Sequence, residues 1–310
     1  MPNLDVTVFT PTYNRATTLP RVRESLLRQT LDPARFEWII VDDGSTDGTG
    51  ELVRSWGEAP YSLRYSWQEN RGKHVAWNRA VASARGELFA VLDSDDACVP
   101  HALERFVAHW SAVSPGRKRE LAGVFVRCQT PDGAPIGPPL PALDAADFAE
   151  LAFIHGLPGE TWNAARTDLL RSHPFPELRV PLLPEGALWH WIARDHRWLL
   201  RDECLRVYFT AESGRGDQLS RLSPWRYPEG MAFSQKSVLD NSLRLLPRVP
   251  MRFLRAALHY DRFSLHAGLS VTRQISTLEH RVARALCWSA LPAACLLFAV
   301  DSAAGRRAGR

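Results

Sequence analysis

Asp93-Ser94-Asp95-Asp96 places three carboxylates within four residues, directly after the apolar run Leu88–Leu92. Like charges packed so closely repel one another unless a cation joins them. Hard oxygen ligands of this kind suit Mg²⁺ or Mn²⁺, and an ion held by few carboxylates shares its other positions with substrate phosphates. A second acidic cluster, Asp42-Asp43-Gly44-Ser45, follows the apolar run Phe36–Val41. A carboxylate there can accept a hydrogen bond from a nucleobase imide or a ribose hydroxyl. A third polar cluster, Thr10-Pro11-Thr12-Tyr13-Asn14-Arg15, follows Val6–Phe9, and Tyr13 offers a ring on which a base can stack. Taken singly, each cluster is also ordinary turn and helix-cap chemistry. Turn chemistry does not explain why all three recur directly behind strand-like runs.

The elements that must position these clusters are legible as a pattern. Val6–Phe9, Phe36–Val41, Leu63–Trp67, Leu88–Leu92 and Val124–Val126 are short apolar runs, and helix-period segments lie between them. Strands alternating with helical crossovers predict a mostly parallel α/β sheet with helices on both faces. Open sheets of that kind bind ligands beyond the carboxyl ends of their strands, so the three clusters are expected on one edge. Pro20 suits the first turn of a helix that presents Val22 and Leu26 together. A second helix is expected over about His74–Arg85, with Gly86 ending it. Thr130–Pro139 holds too many prolines for regular structure and reads as a loop or joint. Beyond it, helices are expected near 144–154 and 185–195. Trp162, Trp189, Trp191 and Trp198 there serve either core packing or stacking on sugar faces.

Composition is that of a globular chain: 310 residues, 45% hydrophobic and 23% charged. The net charge of +4 conceals an asymmetry. Residues 241–310 carry eleven Arg against Asp261, Glu279 and Asp301, a net +8 that leaves −4 for the rest. The five cysteines lack metal-like spacing or a disulfide framework. Met1–Asp5 leads straight into a strand-like run without a basic and apolar leader, so the body is expected in the cytosol. Ala285–Val300 is sixteen uncharged residues interrupted by Pro292 and flanked by Arg281, Arg284 and Arg306-Arg307-Ala308-Gly309-Arg310. That is short of the ~20 residues needed to span a bilayer. An interfacial or re-entrant helix is expected over residues 277–310, each flanking Arg adding roughly 1 kcal/mol against anionic lipid. No nucleic-acid-binding module accompanies the arginines.

Thr10-Pro11-Thr12-Tyr13-Asn14-Arg15, Val41-Asp42-Asp43-Gly44-Ser45-Thr46-Asp47, Asn70-Arg71-Gly72-Lys73 and Leu92-Asp93-Ser94-Asp95-Asp96 together resemble the family 2 glycosyltransferases of the GT-A fold, over roughly residues 4–215. The resemblance implies a nucleotide-diphosphate-sugar donor, UDP-linked by expectation, and transfer with inversion to a lipid-linked or cell-surface glycan. It implies a nucleotide-sugar-binding half over 1–127 and an acceptor-binding half over 128–222; beyond them, the apolar, Arg-flanked run makes 223–310 an expected C-terminal helical extension with a membrane-associating tail. Carried over by position, Thr12 and Tyr13 border the nucleobase and Asp42 and Asp43 bind uracil or ribose. Asp93 lies near the ribose, Asp95 with Asp93 holds Mg²⁺ or Mn²⁺, and Arg71 and Lys73 line the nucleotide and phosphates. Inverting transfer needs one carboxylate to deprotonate the acceptor. The matching segment Val180–Trp189 supplies Glu185, followed by Gly186 where many members carry a second acid, and Asp195 and Glu160 are its rivals. Tyr208-Phe209-Thr210 and Arg215-Gly216-Asp217-Gln218-Leu219-Ser220 resemble the closing segment of non-processive members, and no Gln-x-x-Arg-Trp motif is present. The expected location is the cytoplasmic face of a membrane, peripheral or monotopic. Two other readings are a nucleotidyltransferase, disfavoured because Thr12–Arg15 lacks glycine, and an inactive nucleotide-sugar-binding protein.

Overall fold

The computed structural model describes residues 4–157, 160–209 and 226–308. Its elements run β1 (Leu4–Thr12), α1 (Leu19–Leu27), β2 (Phe36–Asp42), α2 (Thr49–Ser55), β3 (Ser62–Trp67), α3 (Lys73–Ser83), β4 (Gly86–Val91), β5 (Ala97–Cys98), α4 (Ala102–Ser111), α5 (Pro115–Lys118) and β6 (Leu121–Gln129). They continue as β7 (Ala145–Ala146), α6 (Phe148–Phe153), β8 (Thr161–Arg166), α7 (Thr167–Arg171), α8 (Gly186–Ile192) and β9 (Arg197–Val207). Four helices follow: α9 (Pro228–Asn241), α10 (Pro250–His266), α11 (Val271–Ser276) and α12 (Arg281–Ala308).

Two compact units result. The first comprises residues 1–147, 156–179 and 195–215, and the second 148–155, 180–194 and 216–310. The first unit holds a nine-stranded mixed sheet in the order β3-β2-β1-β4-β8-β6-β9-β5, with β7 pairing β9. The parallel half is β3-β2-β1-β4, as the alternation of strands and helices requires. Residues 145–207 then add β8, antiparallel to both β4 and β6, and β9, parallel to β6. β6 runs through residue 128, so the sheet continues across the point where the sequence reading divides two halves.

β2 reads Phe-Glu-Trp-Ile-Ile-Val-Asp and is buried throughout, as befits a central strand covered on both faces. Its one interior charge, Glu37, is satisfied by Thr7 Oγ1 at 2.7 Å, Arg64 Nη2 at 2.8 Å and Arg85 Nε at 2.8 Å. α3 ends at Ser83, and Gly86 opens β4 instead of capping the helix. A Cβ at Gly86 would stand 2.3 Å from the Thr7 backbone nitrogen, so the strand pairing itself demands glycine there. Trp162, Trp189 and Trp198 are buried in the cores of their units, which settles them as packing, whereas Trp191 is partly exposed.

The second unit is helical. Phe253, Ala257 and Tyr260 of α10 pack with Leu278 and with Ala283 and Cys287 of α12. Asp261 is fully buried in this unit and accepts a hydrogen bond from Gln274 Nε2 at 3.0 Å. Burial pushes its carboxyl up to about 7, with the Cys287 thiol opposing. A carboxyl raised above its unfolded value stabilises the fold fully below about pH 4, and that contribution is gone above about pH 7. Asp261→Asn is therefore expected to stabilise the protein at pH 8, by up to about 4 kcal/mol, with the difference shrinking towards pH 4. Urea denaturation at both pH values measures this, and a pH-independent difference contradicts it.

Candidate active site

The carboxyl edges of β1, β2, β3 and β4 bring the three polar clusters to one side of the first unit, since Thr12, Asp42 and Trp67 are register neighbours. The loop after β1 is laced to the loop after β2. Ser45 Oγ accepts from the Asn14 backbone at 2.8 Å, Asn14 Oδ1 accepts from Thr46 N at 2.9 Å, and Asp47 accepts from Ala16 N at 3.0 Å. Asn14 has a left-handed backbone, with φ of 54°. Among non-glycine residues Asn tolerates this conformation best, and its side-chain bond to Thr46 offsets the strain. Tyr13, next to it, is 48% exposed, so its ring is available at this edge. Thr12 is buried and its hydroxyl has no partner among the described residues.

Asp42 and Asp43 carry out structural tasks. Asp42 is 1% exposed, accepts from Ser45 N at 2.8 Å and from the Tyr65 hydroxyl at 2.7 Å, and burial beside this carboxylate pushes the Tyr65 phenol up. Asp43 accepts from Gln68 Nε2 at 2.8 Å, Arg71 N at 2.9 Å and Gly72 N at 2.8 Å. It thereby shapes the loop that delivers Arg71 and Lys73 to the start of α3. Gly44 lies against that loop: a Cβ would meet Asn70 N at 2.9 Å, and φ is 90°. The Arg71 guanidinium pairs with Glu177 at 2.7 Å, both side chains being about half exposed.

The turn after β4 is an ion-paired lattice. Lys73 Nζ reaches Asp93 Oδ1 at 2.7 Å, and Arg206 Nη2 reaches Asp93 Oδ2 at 2.8 Å. Arg206 also grips Asp96 through both Nε, at 2.7 Å, and Nη2. Phe209 N donates to the other Asp96 oxygen at 3.1 Å, and the Arg21 guanidinium, 3.6 Å over the Phe209 ring, donates to the Asp95 carbonyl at 2.9 Å. Despite its burial, Asp93 is held well below the usual carboxylate range by Lys73 and Arg206. Burial pushes Asp96 up to about 6 against the pull of Arg206.

The donor set at this turn fits a divalent cation only in part. Both Asp93 oxygens are engaged by cations, so Asp93 as it stands is a counter-ion and not a shared metal ligand. The Asp95 side chain forms no ion pair among the described residues, and its backbone is fixed by Arg21. Among the described residues no group of three or more His, Cys, Asp or Glu could hold a metal alone. Asp95 therefore fits a metal completed by phosphate oxygens, the kind of site in which Mg²⁺ or Mn²⁺ keeps few protein ligands.

The three carboxylates considered as a base are placed differently. Asp195 stands just before β9, at the end of that strand opposite Arg206, so it is far from the lattice. Glu160 precedes β8, whose first residue pairs with Arg127 near the end of β6, and so it lies on the same edge as the lattice. Burial raises the Tyr208 phenol to about 12, with Glu160 and Asp96 adding to the effect. Glu185 belongs to the second unit, where it is the residue before α8. Thr210 and Arg215–Ser220 lie outside the described residues.

Arg206 is the residue that sequence reading misses. An arginine inside a strand-like run carries no motif, and its partners are 110 and 113 positions away. Its only signal is the excess of acid at 93–96, which implies a missing cation. Arg206→Met should leave Asp96 without a cation and Asp93 with Lys73 alone, and cost about 3–5 kcal/mol of stability, the usual penalty for breaking a buried ion pair. Arg206→Lys should recover part of it. Chemical denaturation reads both, and an unchanged midpoint in Arg206→Met contradicts the assignment.

Residues 7–116 match the family model described as Glycosyl transferase family 2. Curated relatives include a validoxylamine A glucosyltransferase of Streptomyces hygroscopicus subsp. limoneus, 36% identical over 36% of this chain and 25% of the relative. Glycosyltransferase AglE of Haloferax volcanii is 34% identical over 41% of each chain. The chain thus spans less than half the length of these relatives. Among solved structures, S. aureus TarS 1–349 in complex with UDP-GlcNAc superposes with a TM-score of 0.64 at 20% identity, covering 94% of this chain and 80% of that one. A mannosyltransferase from Pyrobaculum calidifontis in complex with GDP-Man and Mn²⁺ gives 0.52 at 19%, covering 96% and 87%. Likeness at this identity speaks for the fold, and the motif edge and the family match converge on one stretch: residues 7–116 match glycosyltransferase family 2, within a chain of GT-A fold.

Proposed function

We propose that the protein transfers a sugar from a nucleotide-diphosphate donor, UDP-linked by preference, to a lipid-linked or cell-surface glycan acceptor with inversion at the anomeric carbon. The observation that carries this reading is the edge itself. An exposed Tyr13, the cations Arg71 and Lys73 at the start of α3, and an Asp95 carboxylate in no ion pair among the described residues all stand at the carboxyl ends of four parallel strands. Neighbours of this fold bound to UDP-GlcNAc and GDP-Man support a nucleotide-sugar donor, and the neighbour with Mn²⁺ supports a metal at the diphosphate.

In this reading Tyr13 stacks on the base, and Asp42 and Asp43 act by holding the loops that frame it. Either aspartate retains lone-pair capacity for a nucleotide hydroxyl or imide. Lys73 and Arg71 compensate diphosphate charge, Lys73 exchanging its Asp93 contact for shared contact with phosphate. A divalent cation at Asp95 would neutralise charge gathering on the departing diphosphate. Glu185 takes the proton from the acceptor hydroxyl, so no second acid is needed. Gly186 costs this segment nothing sterically, because a Cβ there would meet only Phe148 ring carbons at 3.9 Å and beyond. A second assignment of the base, Glu160, is favoured by its position on the same edge as Asp93 and Asp96.

Asp95→Ala is expected to lower transfer from UDP-sugar in Mn²⁺ by at least about a hundredfold, in line with loss of a charge-stabilising group. It should leave UDP binding without metal within a few fold, read by calorimetry. Undiminished turnover overturns the metal role. For the base, Glu185→Gln should reduce kcat by roughly 10²–10⁴ with donor KM unchanged. If Glu160→Gln shows that loss and Glu185→Gln does not, the base is Glu160. UDP binding without transfer to any glycan acceptor would mark a binding protein.

A further inference from the structure

The second unit ends in α12, whose Arg281–Ala303 stretch of 23 residues is long and apolar enough to cross a membrane by length and composition, yet only 22% of its apolar window is buried. The helix has two unlike faces. Ala283, Cys287, Ala290 and Ala294 recur at helical spacing and are buried, the first three in one cluster with Phe253, Ala257 and Tyr260 of α10. On the opposite side Val282, Trp288, Leu296 and Val300 are exposed, Trp288 at 52% and Leu296 at 67%, with Ala285 and Pro292 exposed between them. No charged residue interrupts this outer stripe from Ala285 to Val300, a length of about 24 Å at 1.5 Å per residue.

The surrounding charge identifies what such a stripe meets. Of the three acids after residue 241, Asp261 is fully buried. Asp301 is clasped by Arg262 at 2.6 Å and His266 at 3.0 Å, and Glu279 stands 3.5 Å from Arg194. Arg248, Arg252, Arg255, Arg273 and Arg281 are exposed. The unit is therefore basic at its exposed surface, a charge that repels a second copy of itself, whereas an anionic lipid surface complements both that charge and the apolar stripe. Spanning is excluded by the packing. The inner face is committed to α10, and carrying α12 into hydrocarbon would take the Arg262–Asp301 pair and Arg252 and Arg255 of α10 with it.

We propose that the outer face of α12, from Val282 through Trp288 and Leu296 to Val300, lies in the plane of an anionic bilayer at the cytoplasmic surface, with α10 holding the helix from behind. The contact needs no donor, acceptor or turnover, so it stands or falls independently of sugar transfer.

The full chain should float with vesicles of phosphatidylcholine mixed with phosphatidylglycerol, bind phosphatidylcholine alone at least tenfold more weakly, and weaken further as salt rises. Leu296→Glu with Val300→Glu should reduce affinity at least tenfold without moving the thermal midpoint. Cys295 is exposed while Cys98, Cys128 and Cys287 are buried, so a polarity-sensitive thiol label on the Cys204→Ser chain reports the depth of an otherwise native helix. A blue shift on vesicles that an aqueous quencher still reaches places the label at the interface. Four results overturn the proposal: no binding to anionic vesicles, unchanged affinity of the folded double variant, a label shielded at the bilayer centre, or a dimer in solution that the double variant dissociates.

Discussion

Asp42, Asp43 and Asp96 are buried and Asp93 half-buried at the carboxyl edge of one sheet, and each must be answered by donors or the fold would not bear their charge. Burying a carboxylate without partners costs far more than a single domain can spare. Backbone amides of the loop before α3 answer Asp43, a phenol and an amide answer Asp42, and one arginine answers both Asp93 and Asp96. The same contacts fix four loops relative to one another, so electrostatic compensation and the shaping of the nucleotide edge are one process. Among the described residues Asp95 alone of this turn forms no ion pair, and the proposed function uses it for that reason.

This division of roles explains which parts of the molecule are readable in a string of letters. The parallel half of the sheet is legible because β1, β2, β3 and β4 each announce themselves as short apolar runs ending in polar clusters. The reversal of direction at β8 is not, since Thr161–Arg166 carries the same mixed residues whichever way it runs and its orientation depends on pairing with β4 and β6. Gly86 shows the same limit. A glycine after a helix pattern looks like a cap, and only the distance to Thr7 reveals that a close strand approach requires it.

At the site, residue type identifies the right positions and not their tasks. Asp42, Asp43 and Asp93 were expected to touch nucleotide or metal, and the structure engages them first with Tyr65, the loop at 68–72, Lys73 and Arg206. An aspartate that coordinates and an aspartate that braces are written with the same letter, and the difference lies in donors supplied from elsewhere in the chain. Tyr13 is the opposite case, since its side chain stays exposed at the edge and, among the described residues, no brace engages it in the way that those aspartates are engaged.

Arg206 also has a temporal consequence. It belongs to β9, the last strand of the first unit to leave the ribosome, and the aspartates it neutralises are made more than a hundred residues earlier. Until that strand arrives, the nascent turn at 93–96 holds adjacent negative charges with Lys73 alone to offset them. The stretch that carries the family signature, residues 7–116, therefore lacks the arginine that answers two of its aspartates. Its most diagnostic loop matures only when synthesis has reached the far side of the sheet, which binds the completion of the catalytic edge to the completion of the unit.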